Sequence, residues 1–274
     1  MAVQHIDVLG QSSQNPMNPA VWKDMPLDSI LMGNARVGYG LSDDFVLAPT
    51  SATAPSSVAF GNYVAYGDAG TTIGPYTGGV GGALLLTHDG NDNDEISVQV
   101  NGAPFLISDT SGSDRKLVFE ARVQKSSVTN DVMAMFLGLG EEGLAAANTL
   151  VDTTGALASK DFIGFHVDQA DGDSIDFVYR KAGQDAQVLI SGVSAMVADT
   201  AINLGFVYDP EAAADKRIKV FVNGVEQGTY VTATQIAAAT FPDGEELAPL
   251  FATKLGSDTA CTALLEYWAC AQLR

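Results

Sequence analysis

From residue 83 to the end, the chain is a succession of short apolar runs with period-two alternation. They recur about every ten residues and are separated by Gly, Asn, Asp and Pro. The segments are residues 83–88, 95–100, 104–107, 116–123, 132–139, 161–167, 174–180, 187–190, 201–208, 217–222, 228–231, 250–254 and 263–273. In the fourth of these, Leu117, Phe119, Ala121 and Val123 share one face while Glu120 and Arg122 share the other, the pattern of a half-buried strand. In Phe162-Ile163-Gly164-Phe165-His166-Val167 both faces are apolar, so that strand is covered on two sides. Asn223-Gly224 follows Ile218 to Val222 and is the strongest two-residue hairpin signal, because both positions of a type I′ turn need positive φ. Helix is scarce: residues 141–150 and 232–239 have room for two or three turns each. No internal repeat is visible, which argues against a propeller or solenoid. The pattern predicts an all-β fold, an antiparallel β-sandwich.

Residues 1–82 read differently. They hold only eight charged side chains and six of the ten prolines. Pro16 and Pro19 each lack an N–H and restrict the preceding residue, so no helix runs through residues 11–19. The glycines flanking Val80 mark a turn cluster. Yet apolar anchors recur between the loops, among them Trp22, Leu27, Leu31, Phe45, Phe60, Tyr63 and Tyr66. This reads as an extended N-terminal arm, residues 1–82, on a sandwich domain of residues 83–274. Its anchors need a partner surface, either their own domain or a neighbour, and Trp22, Leu27, Leu31, Phe45 and Phe60 are the candidate partner-binding residues.

Charge narrows the partners. With 33 acidic and 14 basic side chains the formal net charge is −19. Phosphate backbones need clustered Lys and Arg, so nucleic acid is excluded as a partner, and an anionic membrane surface is disfavoured on the same ground. The 46% hydrophobic content is enough for a sizeable core. The longest apolar run is far too short to span a bilayer, and the first residues carry no secretory signature, so synthesis in a cytoplasm is expected. Cys261 and Cys270 have no metal-ligand spacing and read as two buried free thiols.

The chemistry-bearing patterns are thin, and no catalytic, cofactor or metal residue is assigned. His5, His88 and His166 are widely separated and fit no zinc spacing. There is no Gly-x-Ser-x-Gly elbow and no phosphate-binding loop. Asp89 to Glu95 offers hard oxygen ligands in a short loop but lacks the glycine and terminal glutamate of an EF-hand. Asp168, Asp171, Asp173 and Asp176 form a second acidic cluster. Both read as solvated turns, since Asp, Asn and Gly dominate turns for backbone reasons. A carbohydrate groove needs exposed aromatics beside amides or carboxylates. Tyr179, Tyr208, Tyr230, Tyr267 and Trp268 are the candidates, and adjacent Tyr267 and Trp268 must point to opposite faces.

Several of these segments carry a resemblance: Leu117 to Val123, Asp161 to Asp168, the turn Asp171-Gly172-Asp173 with its following strand, the pair Leu204 to Asp209 and Ile218 to Glu226, and Leu264 to Cys270. Together, residues 116–274 resemble a concanavalin-A-like jelly roll of the laminin-G, lectin and glucanase type. More narrowly, they resemble the versions found in virion structural proteins of tailed bacteriophages. The glucanase branch places Glu-x-Asp-x-x-Glu on one strand; that motif is absent here, and Glu120, Asp176 and Glu266 stand apart from one another. The resemblance implies a non-enzymatic virion protein, a capsid decoration or cement protein on the capsid surface. Its implied partners are the major capsid protein, sister copies in a homo-oligomer, and a surface glycan. A glycan- or receptor-binding head or tail fibre module is the alternative, and a glycoside hydrolase the third reading.

Overall fold

The computed structural model describes residues 17–26, 30, 36–46, 52–53, 58–78, 82–110 and 112–274, with 52–53 and 58–60 described in backbone alone. One helical turn, α1 (Pro19–Trp22), precedes the strands. They are β1 (Gly38–Asp43), β2 (Ala52–Thr53), β3 (Val58–Phe60), β4 (Tyr63–Gly67), β5 (Thr72–Pro75), β6 (Leu84–Thr87), β7 (Glu95–Val100), β8 (Phe105–Leu106) and β9 (Leu117–Lys125). Next come β10 (Met133–Glu141), β11 (Phe162–Val167), β12 (Ser174–Arg180), β13 (Gln187–Ala195), β14 (Ile202–Tyr208), β15 (Ile218–Val222) and β16 (Val225–Val231). A second turn of helix, α2 (Ala233–Ile236), leads to β17 (Glu246–Leu255) and β18 (Thr262–Leu273).

Two antiparallel sheets stack face to face. Sheet one runs β16-β15-β14-β9-β18-β6-β5-β2, and sheet two runs β13-β12-β11-β10-β17-β7-β4-β3. One long strand in each sheet serves two neighbours along one side. The start of β18 pairs with β6 and its end with β1, while the start of β17 pairs with β8 and its later part with β7. Phe119 and Phe206 from sheet one stack at 5.4 Å, and Phe206 meets Phe177 of sheet two edge-on at 5.7 Å. The sandwich core is therefore closed by aromatic contact across the layers, the geometry that ring quadrupoles favour. Asn223 and Gly224 have φ of 49° and 75°, the two positive values expected of the β15–β16 hairpin. A capping box formed by Thr232 and Gln235 starts α2 but does not sustain it beyond one turn. Residues 141–150 form turns and no helix.

The division at residue 82 does not hold. β1 is hydrogen-bonded along β18, β4 along β7 and β5 along β6, so strands from the supposed arm sit inside both sheets. Two of the anchors expected to seek another polypeptide are covered by this one. Trp22, 5% exposed, packs with Val21 and Met25 on the outer face of sheet one against Val118, Val207, Phe221 and Ala271. Phe45, 2% exposed, enters the main core beside Tyr63 and Trp268. Leu27, Leu31 and the side chain of Phe60 lie outside the described residues. The half-buried reading of β9 changes for the same reason: its second face is roofed by α1 and Glu120 is 1% exposed.

Candidate functional site

At one end of the sandwich a cleft of about 500 Å³ opens between β1, the turn joining β3 to β4, and the turn joining β7 to β8. Its depth is apolar, with Val100 and Phe105 at the base and half-buried Leu41 on the wall. Its rim is polar, with Ser42, Asp43, Asn62 and Asn101. The local sequence builds this shape. Asp43 ends β1, and its Oδ1 accepts the Phe45 N–H at 2.7 Å, an Asx turn that drives Phe45 to a φ of 55° and into the core. Gly82 is required here, because a Cβ on it would lie 2.5 Å from the Asp44 carbonyl oxygen. Tyr63 donates its phenolic proton to Asp43 Oδ2 at 2.5 Å while its ring rests 5.6 Å from Trp268. Burial and then the Asp43 carboxylate hold the Tyr63 phenol well above its ordinary range. Asn101 N–H donates to the Asn62 carbonyl at 2.8 Å, which sets the two carboxamide-bearing turns side by side. Tyr39 stacks on Phe105 at 5.7 Å, and its hydroxyl lies 2.7 Å from both the Pro104 carbonyl and Gln272 Oε1. An apolar floor under a rim of hydroxyl, amide and carboxylate groups can pack the C–H face of a sugar and hydrogen-bond its hydroxyls.

The outer face of sheet two is closed by its own chain. Leu144, Leu150 and Leu157, from the long connection between β10 and β11, pack on Phe136, Phe162 and Leu250. Beneath that cover Glu95 accepts the Thr149 N–H at 3.1 Å and the Leu150 N–H at 3.3 Å, and faces the Lys254 ammonium at 3.4 Å. Burial pushes the Glu95 carboxyl up to about 7, with Lys254 pulling the other way. Lys254 also reaches Asp152 at 2.5 Å. Gln99 stitches the same cover, donating to the Glu141 carbonyl at 2.6 Å and accepting the Leu144 N–H at 2.8 Å.

On the opposite face Glu120 holds the N-terminal turn. Its carboxylate accepts the Asn18 N–H at 2.9 Å and the Trp22 indole N–H at 2.6 Å. Burial raises its pKa to about 7 against these hydrogen bonds. A carboxyl whose folded pKa lies above the unfolded 4.5 contributes stability that is fully present below 4.5 and is lost as pH rises through 7. Glu120→Gln therefore gains on the parent protein between pH 4.5 and 8, by about 3 kcal/mol at most. Urea denaturation of both proteins at the two pH values measures this; a constant difference between them would contradict it.

The acidic residues singled out in the sequence do not converge. Glu120 faces outward from sheet one and Asp176 outward from sheet two, so they cannot flank one glycosidic bond. Glu266 is paired with Arg122 at 2.6 Å. Asp168 caps its own turn, and Asp176 accepts the Gly192 N–H at 2.7 Å. In the Asp89 loop, Asn91 donates to Asp89 at 2.8 Å. Among the described residues no group of three or more His, Cys, Asp or Glu is placed to hold a metal ion. His88 is buried against Thr253 at 2.9 Å, and burial pushes its pKa down to about 4; His166 is buried against the Gly155 carbonyl at 2.9 Å. Cys261 and Cys270 are buried and unpaired.

The aromatic platform lies elsewhere than expected. Tyr179, Tyr208, Tyr267 and Trp268 are all buried, Trp268 in the core and Tyr267 beneath the N-terminal turn, so neither of the adjacent pair reaches the surface. Tyr230 is half-buried on the edge strand β16, bonded to Glu226 at 2.9 Å. The tyrosines that line the cleft beside β1 are Tyr39 and Tyr63, both from the region read as an arm, while Tyr208 lines a separate, smaller pocket with Asp109 and Arg217.

No protein-family model matches the chain, and no curated protein matches it in sequence. Solved structures do match. A protein of unknown function from Shewanella oneidensis MR-1 aligns with a TM-score of 0.57 at 15% identity, over 96% of this chain and 97% of its own. Peanut lectin, solved with a nine-residue peptide, aligns with a TM-score of 0.57 at 13% identity, over 86% and 98%. The GH16 protein of the Bacteroides ovatus mixed-linkage glucan locus, solved with a bound product, aligns with a TM-score of 0.50 at 10% identity, over 83% and 98%. The likeness is one of fold: the chain is a concanavalin-A-like jelly roll similar to lectins and to a glycoside-hydrolase-family protein.

Proposed function

We propose that this chain is a non-catalytic carbohydrate-binding module whose ligand lies in the cleft between β1 and the β3–β4 and β7–β8 turns. The observation that carries this reading is the combination in one cleft of an apolar floor with Asp43, Asn62 and Asn101 at the rim. The volume, about 500 Å³, falls within the range of small-molecule sites and has room for a short oligosaccharide. Two features support binding without bond cleavage. Hydrolysis by the usual route needs two carboxyl groups about 5–10 Å apart, and among the described residues Asp43 is the one carboxylate lining the cleft. The outer face of sheet two is roofed by Leu144, Leu150 and Leu157. The fold alone decides nothing here, since it hosts enzymes and binding proteins alike.

The test is a glycan array followed by calorimetry. The parent protein is expected to retain at least one neutral oligosaccharide, and the Asn62→Ala/Asn101→Ala protein to bind it at least tenfold more weakly with unchanged circular dichroism. An array blank for the parent protein, or a double variant that binds equally, would sink the reading.

A capsid-decoration role, with the major capsid protein and sister copies as partners, draws support from the phage-type resemblance and from a net charge of −19 that keeps particles mutually repelling. Its anchor argument is weaker, because Trp22 and Phe45 are already covered within the chain. A glycan-binding module carried on a virion head or tail fibre needs no such anchors, and that is the form in which we propose a virion location.

A further inference from the structure

We infer that Asp43 restricts the cleft to uncharged oligosaccharides and rejects uronic, sialylated or sulfated ones. This rests on the reading of the cleft as a carbohydrate site and adds the chemical class of its ligand. Among the described residues the lining contains one ionic side chain, the Asp43 carboxylate, and none of the 14 basic residues of the chain. The hydrogen bonds that hold Asp43 come from neutral donors, the Phe45 N–H at 2.7 Å and the Tyr63 O–H at 2.5 Å, so its charge is oriented but not neutralised. Arg274 stands over the Tyr39 ring at 5.4 Å and is not among the lining residues. A ligand carboxylate or sulfate seated on the floor would lie well within a Debye length of Asp43, about 8 Å at physiological salt. It would meet a like charge across low-dielectric walls, in a protein whose overall field is already repulsive to anions. Sugar hydroxyls meet the opposite situation, because an ionised carboxylate is a stronger acceptor for them than any neutral group at the rim.

The experiment is calorimetry of the full chain with maltotriose, cellotriose, mannotriose and galactotriose, each beside its C6-oxidised uronate form, at 50 mM and 500 mM salt. The expected result is that at least one neutral trisaccharide binds and that its uronate form binds at least tenfold more weakly at low salt. That gap narrows at high salt and closes in Asp43→Asn. Ser42→Lys places a cation on the same rim without touching Asp43, and is expected to reverse the preference should Asp43→Asn fail to fold. A uronate form that binds as well as its neutral parent, or a gap that neither variant moves, overturns the charge filter while leaving the carbohydrate reading intact. Failure of all eight sugars together with a blank array overturns both.

Discussion

Lys254→Met is expected to lower the unfolding free energy by about 3–5 kcal/mol at pH 8, the usual cost of removing one partner from a buried ion pair. Lys254 and Glu95 are both essentially inaccessible beneath the connection between β10 and β11, and the carboxylate has no route to water there. The loss shrinks toward pH 5, where a Glu95 already pushed up to about 7 by burial takes a proton and no longer needs a counter-charge. The parent protein carries the same sign more weakly. Glu95 contributes most below pH 4.5 and its contribution falls as pH rises through 7. Adding Glu95→Gln to Lys254→Met removes the stranded charge and is expected to recover part of the stability at pH 8. Urea unfolding of the two variants at pH 5 and 8 measures both effects. A Lys254→Met protein that loses as much at pH 5 as at pH 8 would mean that the cost lies in packing and not in charge.

The second large effect is expected at Trp22→Ala. Truncating a buried tryptophan costs about 3–5 kcal/mol. Here it also strips the indole donor from Glu120 and uncovers Val118, Val207 and Phe221. The N-terminal turn is held by this patch and by the Asn18 N–H, whereas β1 is held independently by six residue pairs with β18. The consequence is therefore local: tryptic cleavage after Lys23 should accelerate at least tenfold while the strands from β1 onward stay protected. Equal cleavage rates in parent and variant would show that the turn is fastened by something other than Trp22.

Much of the sandwich was legible because its strands announce themselves locally. β7 and β12 have the bounds that alternation alone assigns, and Asn223-Gly224 closes its hairpin as its residue types require. What was not legible depends on pairing over long separations. Gly38-Tyr39-Gly40-Leu41-Ser42-Asp43 has too little apolar alternation to declare a strand, and it becomes one by lying along residues 268–273 at the far end of the chain. Glu120 reads as the polar side of a half-exposed strand, since nothing near it forecasts that Trp22 will cover it. Tyr267 and Trp268 look like one surface and one core residue; both are buried because sheet one is covered on both faces here. The cleft is the extreme case. Asp43 comes from the end of β1 and Asn62 and Asn101 from two turns, with no common spacing, and only the stacking of the two sheets assembles them. Tyr39 stands between two glycines and Tyr63 reads only as an apolar anchor, so neither residue declares itself as the wall of a cleft.

The most direct measurement is to follow the backbone amide resonances of the labelled protein while titrating the array's strongest neutral oligosaccharide. The account predicts that shifts concentrate at residues 39–43, 62–63 and 100–105, with the amides under Leu144 and Leu157 unmoved. Shifts gathered instead on the outer face of sheet two, around Phe136, Phe162 and Glu95, would contradict it and return attention to the face that the chain now covers.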